Sequence, residues 1–251
     1  MRTAMITGAT SGIGKATAYA LAKKGISLIL TGRREERLSK LKDDLSKQYG
    51  NHFIYSVFDV RKKEEVYAAI ESIPDDFRKI DILINNAGLA LGLTHVQDSD
   101  TDEWDRMIDT NIKGLLYVTR AIAPGMAARG GGHIVNVGSI AGREVYENGA
   151  VYCATKHAVD ALTRGMRLDM VKYGIKVTGV RPGAVETEFS LVRFNGDQAR
   201  ADEVYKGFEP LVAEDIAEVI AYAVDLPKHV CINDILVTAT AQASITNFHR
   251  T

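Results

Sequence analysis

A doubly wound α/β fold, one parallel sheet with helices on both faces, is what this sequence predicts, and three observations predict it. Apolar β-rich runs alternate with amphipathic helical stretches along the whole chain. Runs such as Ile80-Asp81-Ile82-Leu83-Ile84 and His133-Ile134-Val135-Asn136-Val137 are apolar enough to be covered on both sides. A glycine-rich turn follows the first run and leads into the first helix. Repeated β-α-β units then demand parallel strands joined by right-handed crossovers.

Residues 3–7 form a short apolar run that enters the turn Gly8-Ala9-Thr10-Ser11-Gly12-Ile13-Gly14, and residues 16–23 continue as a helix closed by Gly25. Residues 26–30 read as the second strand, 35–48 as a charged amphipathic helix and 53–58 as the third strand. A helix over 63–73 is stopped by Pro74, because proline cannot continue it. Residues 80–84 give a buried strand, followed by the turn Asn85-Asn86-Ala87-Gly88. One long helix is expected from 103 to about 129, then a strand over 133–137, a helix over 149–172 and a strand over 176–180. A helix over 213–225 and a strand over 232–238 complete the pattern. No linker, low-complexity segment or repeat interrupts it, so residues 1–251 are expected to form a single domain. Only a segment of about 184–212 breaks the rhythm. It carries Phe189, Leu191, Val192, Phe194, Tyr205 and Phe208 at the carboxyl end of a strand, where open α/β sheets bind ligands. That placement predicts a substrate lid.

Composition excludes several classes. The 31 Lys and Arg balance 32 Asp and Glu, so no bulk charge points to nucleic acid or a membrane surface. The two cysteines, Cys153 and Cys231, form no CxxC pair, and the six histidines show no ligand spacing, so no metal is expected. With no charged-then-apolar leader and no long apolar run, the expectation is a soluble, cytoplasmic protein of a reducing compartment.

The chemistry lies in two local patterns. In the glycine turn, Gly8 permits a sharp exit from the strand, while Gly12 and Gly14 let backbone and helix approach a pyrophosphate closely. The helix start then offers free N–H groups to that anion, as in a Rossmann-like dinucleotide site. At the end of the second strand stands Thr31-Gly32-Arg33-Arg34, with two guanidiniums where an NAD site would place an acid. Positive charge is unfavourable at a helix start unless an anion joins it. NADP is therefore the expected cofactor, with NAD the weaker alternative. Further along, Tyr152 and Lys156 lie one helical turn apart, with Ser139 upstream. An ammonium near a phenol favours phenolate and lowers a pKa that is ordinarily about 10. A proton-transfer group on a dinucleotide-binding chain says oxidoreductase.

Taken in order, Thr7-Gly8-x-x-x-Gly12-x-Gly14, Asp59-Val60, Asn85-Asn86-Ala87-Gly88, Asn111, Ser139, Tyr152-x-x-x-Lys156 and Pro182-Gly183 resemble the short-chain dehydrogenases/reductases over nearly the whole chain. Within that family the chain looks like NADP-dependent 3-hydroxy acid dehydrogenases, on Thr31-Gly32-Arg33-Arg34-x-Glu36-Arg37-Leu38, on Asn86-Ala87-Gly88-Leu89-Ala90-Leu91-Gly92 and on Thr187-Glu188-Phe189-Ser190-x-Val192-Arg193-Phe194. The resemblance implies Tyr152 as general acid/base, Lys156 as the residue that tunes it and binds the nicotinamide ribose, and Ser139 as the hydrogen-bond partner of the substrate oxygen. It implies that Asn111 holds a water linking Lys156 to solvent and that Asp59 and Val60 meet the adenine. Asn86, Ala87 and Gly88 would line the path to the ribose. Pro182 and Gly183 would belong to the cofactor site, and Val185 and Thr187 would bond the nicotinamide carboxamide. Thr10, Ser11 and Ile13 belong to the phosphate turn. Relatives that use NADP often carry a basic residue where this chain has Ser11, so phosphate recognition must rest on Arg33 and Arg34. A homotetramer built on the two long helices is the assembly the family implies.

The substrate expected from the resemblance is a small 3-hydroxy acid such as serine, L-allo-threonine or 3-hydroxyisobutyrate. Its carboxylate needs a cation, and Arg143 and Arg193 are the candidates. The alternatives are a reductase of neutral ketones, ketosteroids or 3-oxoacyl thioesters, and a non-catalytic NADP-sensing regulator.

Overall fold

The computed structural model describes residues 2–251. Strand β1 (Thr3–Ile6) leads through the glycine turn into α1 (Gly12–Lys23), followed by β2 (Ser27–Gly32), α2 (Glu35–Gln48), β3 (Phe53–Val57), α3 (Lys63–Glu71) and β4 (Ile82–Asn85). Then come α4 (Thr101–Ile108), α5 (Leu115–Ala128), β5 (Gly132–Val137), α6 (Ala150–Met170) and β6 (Ile175–Pro182). The last elements are β7 (Val185–Glu186), α7 (Glu188–Arg193), α8 (Gln198–Glu203), β8 (Leu211–Val212), α9 (Ala213–Asp225) and β9 (Asp234–Val237).

Seven strands pair in the order β3-β2-β1-β4-β5-β6-β9, and every pairing is parallel. The chain reverses its direction of travel across the sheet between β1 and β4, so a crevice opens at their carboxyl ends. Side chains alternate across the sheet as strand geometry requires. Ala4 and Ile6 of β1 face a core shared with Leu21, Leu38 and Ile220, while Met5 faces Val66, Val118 and Val159 on the other side.

Three departures from the sequence expectation have physical causes. Helix α1 starts at Gly12, four residues before the expected start, because two glycines with poor helix propensity hid its first turn. The expected single helix over 103–129 is α4 and α5 joined by a π-helical turn at Asp109–Gly114. Such a widened turn re-aims a side chain, here Asn111. The expected lid segment, read only as a break in the rhythm, has regular structure of its own, too short to register as periodicity: β7 and β8 pair in parallel, Val185 opposite Leu211, and α7 and α8 fill the space between.

Candidate active site

The carboxyl ends of β1, β2, β4, β5 and β6 and the lid enclose a cavity of about 620 Å³, within the range of cofactor and ligand sites. The glycine turn forms its floor at one end. Gly8 takes a φ of +67°, and a Cβ on Gly14 would lie 2.3 Å from the Gly8 carbonyl oxygen. No side chain caps the start of α1 and its first turn carries no acid. Free N–H groups on a backbone that only glycine permits fit a pyrophosphate.

Thr7 and Asn86 hold that turn against β4. The Thr7 hydroxyl accepts hydrogen bonds from the N–H groups of Asn86 and Ala87, both at 3.0 Å, and Asn86 Nδ2 donates to the carbonyls of Thr7 and Gly8. Asn86 thus lines the cavity while its side chain secures the floor.

Arg33 is exposed and rests 3.9 Å from Asp59. Arg34 is more committed. It donates to Thr10 Oγ1 at 2.6 and 3.1 Å and to Ser11 Oγ at 2.8 Å, which places a guanidinium over the glycine turn at Ser11. Both arginines line the cavity. Asp59 is buried beside them, and although burial pushes its carboxyl up, hydrogen bonds from Arg61 hold it below the ordinary carboxylate range. Val60 lines the same wall.

Ser139, Tyr152 and Lys156 converge at the other end, all less than a tenth exposed. Ser139 follows β5, and its Oγ accepts from Ala141 N–H at 3.1 Å, which leaves its own proton to give. Lys156 Nζ donates to the Val137 carbonyl at 3.1 Å and stands 5.9 Å from the Tyr152 ring centre. Burial draws the Lys156 pKa down to about 8. The expected lowering of the Tyr152 pKa does not hold for the protein alone. Burial lifts the phenol well above its ordinary value, and the Ser139 hydroxyl only partly opposes it. The physical reason is desolvation: a buried phenolate would lose its hydration, and neither the Ser139 hydroxyl nor the nearby Arg193 guanidinium makes up that loss.

Asn111 is buried on the π-helical turn. Its Oδ1 accepts from Leu89 N–H at 2.9 Å, and its Nδ2 donates to the Leu89 carbonyl at 2.8 Å and to Thr155 Oγ1 at 3.0 Å. The side chain therefore braces the segment after Gly88. Gly88 itself lies between Asn111 and Lys156, 3.6 Å from Nζ by an added Cβ. Beyond Pro182 and Gly183, Val185 accepts a hydrogen bond from the Tyr205 hydroxyl, and Thr187 caps α7 by accepting from Phe189 N–H.

The two candidate cations part company. Arg143 turns away from the cavity into an ion-pair network with Asp234 and Asp160, which also engages Arg164 and the buried Arg181. As a substrate contact it is corrected: two carboxylates behind the Ser139 turn claim it. Arg193 does line the cavity, with its Nε donating to the Gly92 carbonyl at 3.2 Å. Its guanidinium lies 5.4 Å from the Tyr146 ring and 5.8 Å from the Tyr152 ring, and among the described residues no carboxylate pairs with it. The buried Tyr146 hydroxyl beside it finds no full hydrogen bond among those residues.

Sequence reasoning missed the rest of this wall. Tyr146 carried no pattern, and the segment after β9 was not expected in the site at all. Yet Gln242, Ile245, Thr246, Phe248 and Arg250 line the cavity, and Arg250 donates to the carbonyls of Val204 and Lys206 in the lid. An aromatic and a cation near the chain end were the only available signal. Among the described residues, no cluster of three potential ligands could hold a metal, and no helix is long and apolar enough to cross a membrane.

A dinucleotide cradle that leads to a buried tyrosine, lysine and serine defines an oxidoreductase. The chain belongs to the short chain dehydrogenase family, whose model matches residues 2–196. It is 49% identical over 240 residues to sulfoacetaldehyde reductase 2 of Chromohalobacter salexigens, covering 95% of this chain and 94% of that protein. It is 44% identical over 250 residues to the NADP-dependent 3-hydroxy acid dehydrogenase of Schizosaccharomyces pombe, covering 99% and 96%. A solved closed form of serine dehydrogenase complexed with NADP+ superposes with a TM-score of 0.93 at 41% identity, covering 99% of this chain and all of that one.

Proposed function

We propose that this protein is an NADP-dependent oxidoreductase of small alcohols and carbonyls that bear an anion one carbon away from the reacting carbon. The observation that carries this reading is Arg193: a guanidinium beside the Tyr152 ring, on the cavity wall, with no carboxylate of its own. A cation so placed leaves room for an anionic substrate group, and the Tyr146 hydroxyl adds a donor. Serine and other 3-hydroxy acids carry their carboxylate at that spacing. Sulfoacetaldehyde carries a sulfonate there, and the 49% identical relative bears that substrate's name, which supports the sulfonate as a second candidate.

In this reading Arg33 and Arg34 hold the 2′-phosphate, the glycine turn the pyrophosphate, and Asp59 and Val60 the adenine end. Bound NADP supplies the hydride acceptor or donor. The Tyr152 hydroxyl passes a proton to a carbonyl oxygen during reduction and takes one from an alcohol during oxidation. Burial keeps that hydroxyl protonated in the free protein, so the reductive form is the ready one. Ser139 donates to the same substrate oxygen and steadies the charge that develops on it. Lys156 orients the ribose, and Phe189, tilted against the Tyr152 ring with centroids 5.8 Å apart, keeps water from the reacting end. Assembly into a homotetramer through the two long helices is supported by the exposed apolar side chains of Leu116 on α5 and Leu168 near the end of α6. Light scattering tests the assembly, a monomer being the adverse result.

The experiment that tests the function is a substrate panel with purified protein and NADP or NADPH. Serine, 3-hydroxypropionate and sulfoacetaldehyde should turn over with far higher kcat/KM than neutral ketones of equal size. A preference for the neutral ketones would remove the anion-binding reading while leaving the family chemistry in place.

A further inference from the structure

Helix α7 is six residues long, yet it touches both ends of the cavity. At its first turn Glu188 accepts from Arg34 Nη1 at 3.1 Å and from Arg37 Nη1 at 2.8 and 2.9 Å. The same Arg34 guanidinium holds Thr10 and Ser11 in the glycine turn. Thr187, just before α7, lies against that turn as well: a Cβ on Gly12 would sit 3.3 Å from its side chain. One residue further along α7, Phe189 packs on Tyr152. At its last residue, Arg193 reaches Gly92, Tyr146 and Tyr152. One short rigid element therefore carries the carboxylate that holds Arg34, the aromatic that covers the proton donor and the cation that faces the substrate.

Glu188 and a 2′-phosphate would be two anions on one guanidinium. Arg34 has donors for both, but like charges that close repel one another. Arg37 does not line the cavity, so it keeps its grip on Glu188 whatever occupies the cofactor site.

We propose that Glu188 is a specificity-determining residue that works through Arg34 and Arg37. It lowers the affinity for the 2′-phosphate by competing for Arg34, and it anchors the lid over the substrate through Arg37. The price of a fixed lid is thus a weaker hold on NADP. This rests on the reading that Arg34 binds the 2′-phosphate.

The test is calorimetric titration of NADP and NAD without substrate, followed by steady-state kinetics. Glu188→Gln should tighten NADP by about three- to tenfold and leave NAD unchanged, since only NADP brings the competing phosphate. In an Arg34→Met background the same substitution should lose its effect on NADP, which a merely structural role would not produce. With substrate, Glu188→Gln and Arg37→Met should both raise KM several-fold more than they lower kcat. The inference is overturned if Glu188→Gln shifts NADP and NAD alike, weakens NADP, or acts equally with and without Arg34. If Arg34→Met alone weakens both cofactors equally, the phosphate site itself has been misplaced. If it selectively weakens NADP while Glu188→Gln changes nothing, only the role of Glu188 falls.

Discussion

The two halves of the cavity are built on different principles. The cofactor half is made of backbone: a glycine turn, an uncapped helix start and strand ends locked by Thr7 and Asn86. The other half, proposed for the substrate, is made of side chains brought from four places, namely Tyr146, Arg193, Tyr205 and the segment around Phe248. Backbone geometry tolerates few residues and so leaves a mark in the sequence. A wall of side chains tolerates many and leaves little, which is why one scaffold serves many substrates.

The largest expected effect falls where the halves meet. Tyr152→Phe removes the proton donor alone and should lower kcat by roughly 10²–10⁴-fold with NADP affinity nearly intact. Substantial residual turnover would move the proton chemistry to another residue. On the cofactor side, Arg34→Met should cost about 1.5–3 kcal/mol of NADP binding, roughly ten- to a hundredfold, with little change for NAD. Titration of both cofactors would show a selective loss, and an equal loss would break the assignment.

On the substrate side, Arg193→Met should raise KM for an anionic substrate about tenfold while sparing a neutral one. Arg143→Met, by contrast, should leave KM unchanged, because its guanidinium belongs to the Asp234 and Asp160 network. A matching rise in both variants would return Arg143 to the site.

The smallest effect concerns the buried Lys156. Its pKa falls from an ordinary 10.5 to about 8, so the folded state releases a proton that the unfolded chain still holds between those values. Stability from this group therefore rises with pH across that window and is penalised below it. The melting temperature of wild type relative to Lys156→Met should climb as pH goes from about 8 towards 10.5. A flat difference would mean the ammonium is better solvated than its burial implies.

Most of the sheet was legible beforehand, and so were the Ser139, Tyr152 and Lys156 that meet in the cavity. The strand over 80–84, the helix over 213–225 and the one-turn spacing of Tyr152 and Lys156 needed only periodicity. The π-helical turn at Asn111 escaped, because residues 109–114 have the composition of an ordinary helix and a widened turn shows only in the folded backbone, where the Asn111 side chain is bonded to Leu89 and Thr155. The choice between Arg143 and Arg193 escaped for another reason. Each is a guanidinium near a plausible site, and what separates them is the position of Asp234 and Asp160.

The sequence by itself determined the layered α/β architecture, the glycine cradle and the Ser139, Tyr152 and Lys156 set, since these follow from steric and periodic rules that act over a few residues. Only the tertiary structure decided that Arg34 meets Glu188 across 154 positions, that the segment after β9 closes one wall of the cavity and that burial raises the Tyr152 pKa where the sequence alone predicted a lowering. Charges choose partners by distance in space and gain or lose protons by their surroundings, and neither is fixed until the chain has folded.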